Sequence, residues 1–179
     1  MSSYCEAVRN LPLDNLHRQH HDTEHGFKAK NDDDLFRRLI LEINQAGLSF
    51  DIVLKKKEQI YKEFSSIKKT ARYANKDINR LINNPSIIRN KLKIRAIIFN
   101  AIKILEIQDK YGSFKSWLDS YYPQSKENWI NLFKKTFKFT GPEIVNEFLM
   151  GTCYLPGAHT SSCKFYTQNS AKKVAQKVI

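Results

Sequence analysis

The sequence predicts an all-α fold, and three observations support this prediction. Ile, Leu, Phe and Lys recur at spacings of three and four residues along most of the chain, which is the period of amphipathic helices. Alternation with a period of two, which is typical of half-buried strands, is weak throughout. Only 6 of the 179 residues are glycine, 5 are proline and 41% are hydrophobic, so we expect helices joined by short connections around a hydrophobic core.

The first two long helices have recognisable ends. Three consecutive aspartates, 32–34, are suited to begin a helix, because acidic side chains cap its first turn and complement its dipole. This helix is expected to stop at Gly47. Ser49 is suited to cap a second helix, which we expect from about residue 50 to 64.

Further helices are predicted after this pair. A tight break is expected at 83–86 (Asn-Asn-Pro-Ser), and Pro142 follows Gly141 at what reads as a first helical position. Helices are expected at about 76–82, 90–110, around Trp117 and Leu118, at about 129–135 and at about 142–150.

The chain is strongly basic, with 30 Lys and Arg against 18 Asp and Glu and a net charge of +12. This excess favours a polyanionic partner, nucleic acid first and an acidic membrane surface second. A coding bias toward Lys, Ile and Asn is the alternative explanation. No apolar run is long enough to cross a bilayer and the first residues lack the pattern of a signal peptide, so we expect a cytoplasmic protein.

The three cysteines are Cys5, Cys153 and Cys163. An odd, low number in a chain of this kind argues against a disulfide framework. Free thiols and metal ligands remain as the two alternatives.

Glu42 stands out because it lies on an apolar helix face. On the predicted helix it falls beside Leu35, Leu39 and Ala46, at spacings of 7, 3 and 4 residues. A carboxylate on that face is unfavourable unless it has partners. Either its stem is buried at the edge of the face and its head reaches water, or it is a pocket carboxylate facing a ligand that donates hydrogen bonds or carries positive charge.

Four segments of the chain resemble, in order and spacing, the motifs of the DNA-3-methyladenine glycosylase I family. The segment LEINQAGLSF at 41–50 resembles the family's LExxQAGLSW, and HHDTEHG at 20–26 resembles YHDxEWG. IIRN at 87–90, followed by Lys93-Ile94 and Asn100-Ala101, resembles IIRNxxKIxAxxxNA, and FKFTGP at 137–142 resembles FKFVGP. The resemblance extends from about Cys5 to Cys163, which is nearly the whole chain.

The resemblance implies a helix-hairpin-helix DNA glycosylase, an enzyme that flips a damaged nucleotide out of duplex DNA and hydrolyses its N-glycosidic bond. The implied substrate is alkylated adenine, 3-methyladenine, in double-stranded DNA, and the implied state is a monomer. The implied organisation is one glycosylase domain over 1–166. It has a hairpin-helix lobe at about 35–135, a zinc lobe made of 1–30 plus 137–166, and a basic tail at 167–179.

The resemblance also assigns roles to individual residues. Glu42 is implied as the base-recognising and catalytic residue, with His20 and Phe50 lining the base pocket. A structural zinc ion joining the two ends of the chain is implied at Cys5, His21, His159 and Cys163, and two thiolates with two imidazoles suit a closed tetrahedral zinc site.

The DNA-binding hairpin is expected at the break around residues 83–86 and the helix start that follows it. Backbone N–H groups at a helix start attract phosphates, and nearby basic side chains add to this attraction. Not all of these side chains can face DNA, and an ordinary solvated basic helix start is the alternative. The residues expected to contact DNA are Ser86, Arg89, Lys91 and Lys93.

Several pocket positions depart from the family pattern. His20 replaces a tyrosine, Phe50 and His25 replace tryptophans, and Ala7 stands near where an aromatic residue is expected after Cys5. Three hypotheses therefore remain. The protein is an active glycosylase, a homologue with altered or lost activity that binds DNA without excision, or a zinc-stabilised helical interaction module with a scattered basic surface.

Overall fold

The computed structural model describes residues 3–166, so the predicted tail at 167–179 lies outside the described residues. Within 3–166 the chain forms ten helices and no strand, which confirms the predicted all-α class. The helices are α1 (Tyr4–Val8), α2 (Leu16–Thr23), α3 (Asp32–Gln45), α4 (Phe50–Glu63), α5 (Ile67–Ala71), α6 (Asn75–Ile82), α7 (Lys91–Tyr111), α8 (Phe114–Tyr121), α9 (Lys126–Thr136) and α10 (Pro142–Gly151).

A helix is present at every position where the sequence predicts one, and three short helices were not predicted. These are α1, α2 and α5, of 5, 8 and 5 residues. The side chains that α2 buries are His20 and His21 rather than aliphatic residues, so it has no apolar stripe. The helices α1 and α5, of 5 residues each, carry too few residues for a periodic pattern to emerge.

The prediction that the three aspartates cap their own helix was wrong in detail. Asn31 is the N-cap of α3, and its side chain accepts a hydrogen bond from the Asp34 N–H. Asp32 accepts from the backbone N–H of Phe114, at 2.7 Å, at the start of α8. Asp33 accepts from the N–H of Ile67, at 2.8 Å, at the start of α5. The first turn of α3 therefore fixes the ends of two other helices.

The central helix of the core is α3, which packs against α4, α5, α7, α8 and α10. Its side chains Phe36, Leu39, Ile40 and Ile43 are fully buried. Aromatic residues of α8, α9 and α10 close the core on one side, among them Phe114, Phe133 and Phe148. Because α3 is held on so many sides, Glu42 is carried on a rigid element.

Arg38 connects α3 to the segments on either side of it. Its guanidinium binds Asp34 and also donates to the carbonyl oxygens of Glu24 at 2.8 Å, Phe27 at 2.6 Å and Gly151 at 3.3 Å. It therefore ties the end of α2 and the end of α10 to the middle of α3. Within 3–166, no helix is long and apolar enough to cross a membrane.

Candidate base-binding pocket and metal centre

A narrow cavity lies between α2, α3 and α10, with about 260 Å³ of empty space when its open mouth is included. The polar groups on its walls come from different helices. They include His20, Glu24, His25, Arg38, Glu42 and Glu147. Carboxylate and imidazole groups lie among Leu41 and Phe148, so the walls combine polar and apolar surface.

Glu42 points into this cavity from the apolar side of α3. Its side chain forms no hydrogen bond or ion pair with any residue from 3 to 166. Desolvation, together with the negative charge of Glu147, raises the pKa of Glu42 from 4.5 to about 8. Without a bound ligand, this carboxyl group is therefore largely protonated at neutral pH.

His20 lines the pocket, whereas Phe50 lies beside His20 and is not among the residues that line the cavity. His20 is only 6% exposed, and its ring centre is 5.1 Å from that of Phe50 in an edge-to-face arrangement. Burial lowers the pKa of His20 below its ordinary value, so the imidazole is neutral at neutral pH. A neutral ring can take the place of tyrosine as an aromatic wall.

Tyr4 is an aromatic residue near the pocket that the sequence did not indicate. No aromatic residue comes directly after Cys5, but Tyr4 comes directly before it. The centre of the Tyr4 ring lies 5.4 Å from that of His25 and 6.4 Å from that of Phe50. Its hydroxyl donates to the carbonyl oxygen of His17 at 3.0 Å. Helix α1 thus supplies an aromatic side chain from the residue before Cys5 rather than from one after it.

Behind His20 lies a second group of polar side chains that was not predicted. Glu24 pairs with Lys57 and accepts a hydrogen bond from the Tyr61 hydroxyl at 3.1 Å. Burial alone would raise the pKa of Glu24, but the facing His20 and the ammonium of Lys57 hold it at about 2. Glu24 is therefore ionised, and Lys57 neutralises it. Only the tertiary packing of α4 on α2 brings these residues together, so no sequence spacing could have revealed them.

Cys5, His21, His159 and Cys163 meet in one cluster that could hold a metal ion. Their ligand atoms all lie within 4.8 Å of one another. The Nε2 atom of His21 is 3.4 Å from Cys5 Sγ and 3.7 Å from Cys163 Sγ, and His159 Nδ1 is 3.7 Å and 3.6 Å from the same two sulfurs. Zinc bond lengths of roughly 2.3 Å to sulfur and 2.0 Å to nitrogen place such ligands about 3.6 Å apart in a tetrahedron.

The outer nitrogens of both imidazoles have acceptors. His21 Nδ1 lies 2.7 Å from an oxygen of Asp22, and His159 Nε2 lies 2.8 Å from the carbonyl oxygen of His25. Donation to these acceptors leaves the lone pair of each inner nitrogen directed at the cluster, as a metal ligand requires. The third cysteine is separate, because the Cys153 thiol donates to the Gly26 carbonyl oxygen at 3.1 Å.

The turn between α6 and α7 carries the residues expected to bind DNA, and three of them are exposed. These are Ser86, Arg89 and Lys91. The fourth, Lys93, is a correction: it is only 3% exposed, and its ammonium donates to the carbonyl oxygens of Asn44 at 2.7 Å and Ala46 at 2.6 Å. It neutralises the carbonyl end of α3, and two of its three N–H donors are used there.

The start of α7 is also less open than expected. The Asn90 side chain caps it by accepting from the N–H groups of Leu92 at 3.0 Å and Lys93 at 3.1 Å. The Ser86 N–H donates to the Asn84 side chain at 3.0 Å. Any grip on phosphate at this turn therefore depends more on Arg89, Lys91 and the Ser86 hydroxyl than on free backbone donors.

Comparisons with known proteins agree with this geometry. A family model described as methyladenine glycosylase matches residues 10–131. DNA-3-methyladenine glycosylase 1 of Escherichia coli (strain K12) is 32% identical over 178 residues, covering 87% of this chain and 94% of that protein.

Solved structures give the same result. A variant of 3-methyladenine DNA glycosylase I from Staphylococcus aureus superposes with a TM-score of 0.78 at 28% identity, covering 92% of this chain and 97% of that one. A structure on 3-methyladenine recognition by the enzyme from the same organism has a TM-score of 0.75 at 30% identity, with 86% and 92% covered. With the family model matching over half its length, this chain belongs to the methyladenine glycosylase family.

Proposed function

We propose that this protein is a DNA repair glycosylase that flips 3-methyladenine out of the duplex and hydrolyses its N-glycosidic bond, leaving an abasic site. The observation that carries the proposal is Glu42, a carboxyl group that has no partner among residues 3–166 and faces a cavity in a chain of this family. The two relatives named above are 3-methyladenine glycosylases, and their activity suggests the same substrate here.

Hydrolysis of the N-glycosidic bond of 3-methyladenine requires little acid catalysis from the protein. The alkylated base already carries positive charge, so it is a good leaving group, and the enzyme contributes binding, orientation and a favourable field. Because the carboxyl group of Glu42 is held in an apolar setting, a cationic base stabilises its ionised form. Glu42 would lose its proton as the base enters and then face the positive charge of the base.

The walls of the pocket would hold the flipped base. His20 and Phe50 present aromatic surfaces, and stacking on such surfaces holds flipped bases. Flipping itself requires a few kcal/mol, which is lower for a damaged base because its pairing is weakened.

Zinc is the metal we propose for the Cys5, His21, His159 and Cys163 cluster. Two thiolates and two imidazoles at tetrahedral separations suit zinc and leave no open position, so its contribution would be structural. It would join α1 and α2 to the segment after α10, which supports the proposed zinc lobe formed by both ends of the chain.

Double-stranded DNA is the proposed partner, contacted through Ser86, Arg89 and Lys91 at the α6–α7 turn. We retain the expected monomer, since one chain supplies every proposed pocket and metal residue. The proposed hairpin-helix lobe, at about 35–135, would present this turn to DNA.

The direct test is to incubate the protein with methylated duplex DNA and identify the free base by chromatography. We expect release of 3-methyladenine, and a loss on the order of 100-fold or more in the rate for Glu42→Gln. Circular dichroism and zinc content of the variant should match those of the unaltered protein. Salt-dependent duplex binding without any base release would instead identify a homologue that binds DNA without excision.

A further inference from the structure

We propose that Glu147 is a second base-contacting carboxylate, which together with Glu42 makes the pocket select a positively charged purine over a neutral one. The proposal rests on the glycosylase function given above and deepens it by naming a specificity-determining residue on a different helix. Glu147 lies on α10, outside every sequence motif discussed for the pocket.

The geometry places both carboxyl groups on one cavity. Because α10 packs on α3, Glu147 and the neighbouring Phe148 form the wall next to Glu42. The only hydrogen bond to the Glu147 side chain from within 3–166 comes from Asn146, whose Nδ2 lies 3.3 Å from Oε1. One carboxylate oxygen of Glu147 therefore has no partner among these residues, and the same holds for both oxygens of Glu42.

An independent observation also points to a ligand in this cavity. His20 lines it with a side chain 6% exposed, and its Nδ1 atom has no hydrogen-bond partner among residues 3–166. The nearest acid oxygen, on Glu24, is 3.7 Å away, beyond hydrogen-bonding distance. Buried polar atoms are normally satisfied, so an unpartnered imidazole nitrogen beside two free carboxyl groups indicates a polar occupant.

Among residues 3–166, no basic side chain on the cavity wall is free to balance the two acids. Outside the wall, the exposed Lys126 on α9 lowers the pKa of Glu147 and Glu143 on α10 raises it. Arg38 is bound to Asp34 and to three carbonyl oxygens, and Lys57 behind the wall is paired with Glu24. The titratable and charged groups that surround Glu42 are Tyr4 from α1, His20 and Glu24 from α2, His25 from the following loop, Arg38 from α3 and Glu147 from α10. Positive charge must therefore come from the ligand or from a bound proton.

This arrangement couples base binding to proton release. Burial raises the pKa of both Glu147 and Glu42, and the charge of Glu147 adds to the shift at Glu42. In the empty pocket the pair holds a proton at neutral pH, as two nearby carboxyl groups do. A cationic ligand lets both ionise, so its affinity rises with pH up to about 8, whereas a neutral purine gains nothing from this ionisation.

The test uses 3,9-dimethyladeninium, which is permanently charged, and neutral 9-methyladenine as ligands of the full-length protein. Titration calorimetry at neutral pH in two buffers of different ionisation enthalpy counts the protons released on binding. We expect the unaltered protein to release close to one proton with the cation and none with the neutral base. For Glu147→Gln we expect clearly fewer protons, and about tenfold weaker binding of the cation above pH 8, where both acids are ionised. Binding of the neutral base should change less than about twofold.

Two further variants keep the result interpretable. Glu106→Gln removes the same charge from an exposed position on another helix, α7, and should behave like the unaltered protein. Glu147→Asp keeps the charge and should retain proton release if the Gln variant loses it. Proton release and cation affinity unchanged in Glu147→Gln would overturn the proposal for Glu147, while base release from methylated DNA would leave the glycosylase function standing. If no base were released from methylated DNA while proton-coupled binding of the cation was intact, the proposal for Glu147 would stand and the glycosylase function would be overturned.

Discussion

At the scale of single residues, the Glu42 carboxyl group proposed for base recognition also lowers the stability of the protein when no ligand is bound. The pKa of Glu42 rises from 4.5 to about 8 on folding, chiefly through desolvation. Between these two values the unfolded chain has lost the proton and the folded protein still holds it. Ionisation therefore favours unfolding as the pH rises through this window, and the effect is complete above about pH 8.

Glu42→Gln should consequently unfold at a higher temperature than the unaltered protein at about pH 8.5, by several degrees. The difference should shrink toward about pH 4, where both states hold the proton. Thermal melts followed by circular dichroism at the two pH values measure this. Glu106→Gln, at an exposed position on α7, is the control. Equal melting temperatures at the higher pH would contradict a desolvated Glu42.

A second prediction concerns Gly26, which has a φ of +75° beside the metal cluster. A Cβ atom added there would lie 2.6 Å from Nε2 of His159. We expect Gly26→Ala to displace this imidazole and weaken zinc binding by about 10- to 100-fold, which competition with a chromogenic chelator would measure.

Gly47 provides a matched control because its φ is also +75° but no atom lies within 4 Å of its added Cβ. Gly47→Ala carries the same backbone strain and should keep its zinc affinity. If the two variants bound zinc equally well, the contact between Gly26 and His159 would have no consequence for the cluster.

Among single residues, sequence reasoning worked best where a local pattern existed. Glu42 could be singled out because helical spacing alone places it on an apolar face. Glu147 lines the cavity from α10 and Tyr4 lies near it on α1, and their neighbours in the sequence carry no sign of either position. Their contribution depends on how α1 and α10 pack, which no spacing within one helix encodes.

At the scale of helices, the start of α7 shows why a basic residue in the right place can have a different role. Lys91 is exposed, whereas Lys93 is buried and holds the carbonyl end of α3. The sequence could not separate them because burial of Lys93 depends on where α3 ends in space.

Substituting each lysine by Met should separate these roles. Lys93→Met leaves two carbonyl groups without a donor, so we expect the free energy of unfolding in urea to fall by about 1–3 kcal/mol. Its DNA affinity should keep the same dependence on salt. Lys91→Met should change stability by less than about 0.5 kcal/mol and reduce the slope of log affinity against log salt by about 1. A reduced slope for Lys93→Met in a folded protein would contradict the burial of its ammonium.

The helices also differ in how far they could be predicted. Long helices such as α3 and α7 have apolar faces and clear ends, so their positions follow from spacing and capping. The short helices α1, α2 and α5 do not, and α2 buries His20 and His21, of which His21 belongs to the cluster with Cys5, His159 and Cys163. The helices that sequence reasoning missed therefore include the two that carry Tyr4, Cys5, His20 and His21.

For the whole molecule, the proposed zinc ion would connect segments more than 130 residues apart in sequence, since Cys163 lies 142 residues from His21. The core around α3 and α7 has its own hydrophobic packing and does not include the cluster. Removal of zinc should therefore loosen the ends first.

Treatment with a strong chelator should make α1 and the segment after α10 sensitive to limited proteolysis, while most of the helical signal in circular dichroism persists. Cys163→Ser should reproduce the effect without chelator, and Cys153→Ser, outside the cluster, should not. Complete loss of helical signal on chelation would mean that the core itself depends on the metal.

The central claim is that Glu42 must be ionised to face a cationic purine, and the most direct test is the pH dependence of kcat/KM for release of 3-methyladenine from methylated duplex DNA. This quantity reports groups of the free enzyme, so it should rise with pH and level off near the Glu42 pKa of about 8. For Glu42→Gln it should be low and should lack this rise. A flat profile for the unaltered protein, or a Gln variant of undiminished activity, would contradict the claim.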